Sequence, residues 1–364
     1  MILGVALAAM TCPCLALSCL AGDVALLHSA GSADGWTRSV ARGLCAGDDP
    51  ACRVSEIFLG DAEEGEEFFE TLHDRLCPDW CARTPDAVVA DGEVAFAFAR
   101  KYRGELFGDA PVIYLGMSRP EAGIAEQCGR CSGVPLRLGV EWTVDLIFRL
   151  RPETSIVVAL MDDDVANQPL RARVEAAMEP HLDRARLIFP GHEPGDDGGL
   201  DESDLASVAG SVPVGGAVLF LRFALDKAGN PVDEDGCARM VARRSQAPVY
   251  VLTDRFLGDG VLGGVVAVGE DQAREAANLA ARLREGAGEA ASQGVKPRAV
   301  VDLTVLARFG IPADRLPAVC AGINPVDPPE PASALGAAGM WLPALFLALP
   351  AWLLIRRLRA KQLK

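Results

Sequence analysis

Positive charge is scarce: 35 Lys and Arg stand against 50 Asp and Glu, for a formal net charge of −15. No basic stripe exists that could displace counterions from phosphates, which argues against nucleic acid as a partner. Bulk acidity still leaves a small anionic ligand open, because free backbone amides at a helix N-terminus can hold one. The nucleophile motif GxSxG is missing, and four scattered histidines offer no Ser-His-Asp order, so catalysis is not indicated. Zinc is not indicated either, since a single CxxC has no second pair at ligand spacing and His73 and His181 stand isolated. No cofactor is expected. Internal repeats with a period of about 20 to 50 residues are absent, which excludes a solenoid or propeller.

Apolar residues concentrate at the two ends. From Leu335 to Ile355 the chain carries no charge, and RRLRAKQLK follows at once. At ~1.5 Å per helical residue this run reaches ~31 Å, the thickness of a bilayer's hydrocarbon core. Arg356, Arg357, Arg359, Lys361 and Lys364 lie on one side and Asp327 and Glu330 on the other, so the positive-inside rule puts the tail 356–364 in the cytoplasm. The expectation is a single-pass protein of a bacterial inner membrane with its main domain in the periplasm and the lipid bilayer as a partner. Residues 1–21 are apolar and end in small residues, as a signal peptide does, although no Lys or Arg opens them. Kept in place, they would form a second anchor; Cys19 also invites a lipoprotein reading, against a poor lipobox. A Pro-rich spacer, 326–334, precedes the anchor.

Eleven cysteines are present, three of them (Cys12, Cys14, Cys19) in the signal segment. The remaining eight, in an oxidising compartment, predict disulfides, with Cys45–Cys52, Cys77–Cys81 and Cys128–Cys131 as the sequence-near pairs among many possible pairings.

Between the apolar ends, aliphatic runs alternate with amphipathic stretches, the pattern of parallel sheets flanked by helices. VALLHS, VSEIFLG, DAVVAD and PVIYLGM form one set of four strands; SIVVALMD, ARLIFPG, GAVLFLRF and APVYVLTD form another. Their continuous hydrophobicity predicts sheets covered on both faces. The spacing of Ala273, Ala276, Ala277, Ala280 and Leu283 predicts a helix over 270–285, stopped by Gly286. The expected organisation is a first lobe from 22–118 with a return segment 256–325, and a crossover and second lobe over 119–255.

Six segments, LLHSAGSADGW, VVADGEVAFAFARKYRGELFGDAPVIYLGMS, GVEWTVDLIFRLRPETSIVVALMDDD, LFLRFALDKAGN, APVYVLTDRFLGDGVLGGVVAVGEDQAREAANLAARL and VVDLTVLARFGIPADRLPA, run in order over most of 23–318. In that order they resemble the ABC-transporter substrate-binding-protein-like family, in the form used as the extracytoplasmic sensor of bacterial membrane histidine kinases. The resemblance implies an α/β fold of two Rossmann-like parallel-sheet lobes with a hinge, the type I periplasmic-binding-protein fold, holding a small molecule such as an amino acid between the lobes. Two features depart from it. The sequence stops shortly after its apolar run, without kinase elements, and the paired cysteines look like additions.

Ligands of open α/β sheets bind outside the carboxyl ends of the strands. Those ends nominate Ser29, Trp36, Asp91 and Ser118 in the first lobe and Asp162, Arg222, Asp226 and Asp254 in the second, against the alternative that such residues cap the next helix. Trp36 and Tyr114 could stack on a ring, though Tyr114 sits mid-strand as core residues do. Asp162–Asp164 lacks the spacing of a calcium loop. GDGVLG at 258–263 matches GxGxxG but runs into a strand where the dinucleotide motif needs a helix, so it reads as a hinge turn. Cys128 and Cys131 resemble the redox pair of thiol-disulfide oxidoreductases, but no helix follows them. The leading expectation is a membrane-tethered solute sensor coupled to a histidine kinase. The alternatives are the tethered binding component of an ABC permease and an exported oxidoreductase using Cys128 and Cys131.

Overall fold

Runs of aliphatic residues become strands wherever helices can cover both of their faces. The computed structural model describes residues 22–44, 52–60, 65–117, 130–193, 198–286 and 292–324. Its first sheet consists of β1 (Gly22–His28), β2 (Cys52–Phe58), β3 (Ala87–Asp91), β4 (Val112–Leu115) and β5 (Cys131–Gly133), in the order β2-β1-β3-β4-β5. All its pairings are parallel. Alternate residues of β1 serve opposite cores. Ala25 and Leu27 pack with Phe69, Leu72 and Leu76 of α2 (Glu66–Trp80) and with Phe96 and Phe98 of α3 (Glu93–Lys101). Val24 and Leu26 pack with Val40 and Leu44 of α1 (Gly35–Leu44) on the other face.

The second sheet contains β6 (Ile156–Met161), β7 (Arg186–Ile188), β8 (Gly216–Arg222), β9 (Val249–Tyr250), β10 (Gly263–Val266), β11 (Arg298–Asp302) and β12 (Ala321–Ile323). Their order is β12-β11-β10-β9-β8-β6-β7, and only the β10–β11 pairing is antiparallel. Helices α4 (Val140–Leu150) and α5 (Gln168–Met178) cover one face, and α6 (Glu202–Ser211) and α7 (Glu234–Arg244) the other.

All eight strands read from the aliphatic runs are present, and the lobe boundaries differ from expectation in two places: β5, within the expected crossover 119–255, joins the first sheet, and the return segment divides. The return segment 256–325, expected in the first lobe, is shared between the sheets. β10, β11 and β12 extend the second sheet. α8 (Gly269–Arg284) returns to the first, where Ala273, Ala276, Ala277 and Ala280 complete the core that contains Val40 and Leu44, and Val295 packs against the same core. Gly43 permits this return: a Cβ there would lie 2.2 Å from the Glu270 carbonyl oxygen, so only glycine lets α1 and α8 approach so closely. The chain therefore passes between the sheets three times, after β5, after β10 and after α8. GDGVLG leads into β10, as expected of a turn.

Cys77 and Cys81 are bonded to each other, and Cys52 and Cys131 are disulfide-bonded. Cys237 and Cys320 are free, so the eight cysteines beyond the first 21 residues do not resolve wholly into pairs. Cys131 opens a strand rather than a helix, so the helix N-terminus that would activate a redox CxxC does not follow it. Cys45, Cys128 and Ser118 lie outside the described residues, as do the signal segment 1–21, the spacer 326–334, the apolar run 335–355 and the tail 356–364. Among the described residues no helix is long and apolar enough to cross a membrane.

Candidate functional site

The carboxyl end of the first sheet is organised by Asp91. Its Oδ2 accepts from His28 Nδ1 at 2.8 Å and its Oδ1 from Trp36 Nε1 at 2.9 Å. His28 is fully buried, stacks on Phe58 and turns Nε2 toward Glu56 Oε2, 3.6 Å away. Ser29 Oγ accepts from the backbone N–H of Ala95 at 2.9 Å and so caps α3 from across the sheet. The structure thus brings Ser29, Trp36 and Asp91 together. It commits their polar atoms to one another and to the backbone, with Asp91 only 6% exposed. They shape the strand ends rather than offering free donors and acceptors.

At the carboxyl end of the second sheet Asp162 has the same role. It is buried, and its Oδ2 accepts from the N–H groups of Ala224 and Leu225 at 2.8 and 3.2 Å. Its Oδ1 accepts from the Asp164 N–H and from the Asn167 side chain. Asp163 pairs with His192 at 2.7 Å. No metal geometry results from the three adjacent carboxylates, because each faces a different partner. Arg222 is exposed, and its guanidinium lies 3.6 Å from Asp164. Asp226 sits apart, its carboxylate closing the turn DKAGN onto the N–H groups of Ala228 and Asn230, each at 2.8 Å.

The two carboxyl edges meet where the loop after β1 touches the 3-10 turn Asp254–Phe256 after β9. Arg255 is the centre of this seam. It reaches Asp34 of the first lobe at 3.2 Å and Glu234 and Asp235 of α7 at 2.7 and 2.8 Å. Burial acts to lower the Arg255 pKa, but the carboxylates of Glu234, Asp34 and Asp235 outweigh it and hold the value above the ordinary one. Burial in turn pushes the Glu234 carboxyl up, against the opposing pull of Arg255. Gly35 makes the contact possible, since a Cβ on it would lie 1.9 Å from the Arg255 carbonyl oxygen. The strand-end pattern takes in His28 and Arg255 by position without nominating them as site residues, and it does not reach Asp34 or Glu234. Arg255 directly follows Thr-Asp at the end of a strand, and that was the available signal.

Asp254 completes the seam. Ser39 of α1 donates to its Oδ2 at 2.5 Å, Gly269 N–H donates to the same oxygen at 3.1 Å, and Oδ1 is buried without a partner. Burial, opposed by these bonds, pushes its pKa up from 3.8 to about 6. The native state therefore keeps this proton at pH values where the unfolded chain has lost it. Its contribution to stability is full below the unfolded value and fades as pH rises to about 6. Relative to Asp254→Asn, the wild type is expected to lose about 2 to 3 kcal/mol between pH 3.8 and pH 6. Parallel urea melts of both proteins across that range measure the difference, and a flat difference curve would refute the assignment.

Comparisons bear on the fold. No protein-family model and no curated protein matches the sequence. Solved structures do match in three dimensions. A conserved domain protein from Vibrio cholerae superposes with a TM-score of 0.51 at 13% identity, over 83% of this chain and 99% of that one. The ABC domain in complex with L-Trp from Streptococcus pneumoniae gives 0.52 at 15% identity, with the same coverage of both chains. An ABC transporter periplasmic solute-binding protein from Actinobacillus succinogenes, with bound D-allose, matches at 13% identity and 0.44, over 76% and 96%. At these identities the likeness concerns architecture. The fold, two α/β lobes crossed three times by the chain, is shared with the first two of these structures and is the architecture that the resemblance of the six ordered segments implies.

Proposed function

We propose that the chain is an extracytoplasmic binding protein that holds a small polar solute between its two sheets and signals, through hinge closure, to a membrane partner such as a histidine kinase. The observation that carries this reading is the seam: the carboxyl ends of both sheets converge at Asp34 and Arg255, and the chain crosses between the sheets three times. Ligands of parallel sheets bind at such ends. Arg222, exposed at the end of β8, would take an anionic group such as the carboxylate of an amino acid, with Trp36 beside Asp91 as the wall opposite. Ser29, Asp91, Asp162 and Asp254 position these groups, and Asp226 closes a turn of its own. A domain of the same fold that holds L-Trp supports a ligand of this class. The apolar run 335–355 would tether the domain to the inner membrane, and the spacer 326–334 would pass on its movement.

A solute shifts the open and closed populations only by its differential affinity for them. The full chain, purified in detergent, is expected to gain about 5 °C in melting temperature with the right amino acid or related solute at ~100 times its Kd. Arg222→Ala should abolish that gain while leaving the unliganded melting temperature in place. A broad metabolite screen with no shift would remove the binding role. Crosslinking at the membrane then separates signalling, with a kinase captured, from transport, with a permease captured.

A further inference from the structure

His73, Cys77 and Cys81 are spaced by four residues along α2 and its C-terminal cap, so they share one helix face. Zinc spacing sought in CxxC pairs passes over H-x3-C-x3-C, and this is why His73 looked isolated. One donor atom from each of the three residues lies within 4.8 Å of the others. The π-helical turn Arg103–Phe107 packs on α2 and carries Glu105, whose exposed carboxylate stands outside that group of three but beside His73. Glu105 Oε2 lies 3.1 Å from His73 Nε2. That nitrogen is buried and makes no aligned hydrogen bond, while Nδ1 faces the exposed Asp74 at 3.4 Å. The ring is otherwise held by Tyr102, at 4.6 Å between centroids.

Two sulfurs, one imidazole nitrogen and one carboxylate oxygen are the donor set and number that zinc takes in closed tetrahedral sites. Bonded to each other, Cys77 and Cys81 have no thiolate to offer. We propose that His73, Cys77, Cys81 and Glu105 form a redox-gated site for a borderline-soft divalent metal, zinc foremost, distinct from the solute cleft. The site lies on the half of α2 that leads to the start of β3, and His28 and Asp91 mark the opposite ends of their strands.

The chemistry balances with a dithiol as reductant. The dithiol gives two electrons and two protons to the Cys77–Cys81 bond and becomes a disulfide, and the two cysteines become thiols. Metal binding then releases both thiol protons to solvent as the sulfurs coordinate as thiolates. On a tetrahedral zinc the two sulfurs would sit ~3.8 Å apart. Reoxidation by a disulfide returns the electron pair to that oxidant and expels the metal. The exported domain would thus bind metal only after meeting a thiol reductant.

Cobalt(II) titration of the full-length protein tests this, before and after reduction with a phosphine that is then removed by gel filtration. The reduced protein is expected to bind one equivalent with a sulfur-to-cobalt charge-transfer band and intense tetrahedral d–d bands, displaced by zinc; the oxidised protein should show neither. Cys77→Ser/Cys81→Ser should lose the charge-transfer band although the other cysteines remain. Glu105 is exposed and tolerates substitution without disturbing the helix, so Glu105→Gln serves as the second variant, expected to weaken binding about tenfold or more. A band that survives in the double variant, no band in the reduced wild type, or unchanged affinity in Glu105→Gln would each overturn the site.

Discussion

Asp162→Ala is expected to lower the free energy of unfolding by about 3 to 5 kcal/mol, read as a drop in urea midpoint at unchanged slope. The carboxylate accepts from the N–H groups of Ala224, Leu225 and Asp164 and from the Asn167 side chain, inside a site only 2% exposed. Removing it strands several donors where no water replaces them, and each such loss costs about 1 to 3 kcal/mol. Asp162→Asn keeps the shape, yet turns an amide donor toward Ala224 N–H or Asn167, so about half the loss should remain. A cost below about 1 kcal/mol for the alanine variant would mean that the carboxylate does not pin the loop after β8.

Arg255→Ala should cost a similar amount, about 3 to 5 kcal/mol, because it removes one cation from three carboxylates at once. Glu234 and Asp34 have side chains only 11% exposed, and Asp235 20%. Left without the guanidinium, Glu234 would take up a proton more readily still, in the direction in which burial already pushes it. The part of this cost that joins the lobes is separable. A double-mutant cycle of Arg255→Ala with Asp34→Ala isolates the ion pair that crosses the seam beside the Ser39–Asp254 hydrogen bond, with an expected coupling of about 1 to 3 kcal/mol. Zero coupling would show that Arg255 serves the second lobe alone. Small-angle scattering of the single variant should also report a larger radius, since the lobes lose their clasp.

How much of this was legible in the sequence depends on whether the signal was local. The eight principal strands were, because a strand buried on both faces must be apolar throughout, and 270–285 was, because its alanines recur at helical spacing. β5 and β12, three residues each, and the antiparallel β11 carry too little pattern to be assigned to a sheet. Hence the return segment was placed wholly in the first lobe. At the strand ends, chain position showed where Asp91 and Asp162 would lie but not what they would bind. Their partners, His28 and Trp36 for one, the 224–225 backbone for the other, come from distant segments. Asp226 is the opposite case: Asp-Lys-Ala-Gly-Asn is a self-contained turn, and that chemistry was readable. The proposed metal donors were missed because their period is helical rather than that of a zinc knuckle.

The return of α8 to the first sheet has a consequence for biogenesis. Four alanines delivered after residue 270 close a face that the opening hundred residues leave greasy and bare. A ribosome must reach Arg284 before the amino-terminal half can finish its interior. Throughout most of translation that half offers unfinished apolar surface to chaperones. The late helix thus delays completion of the amino-terminal core until most of the chain has been made.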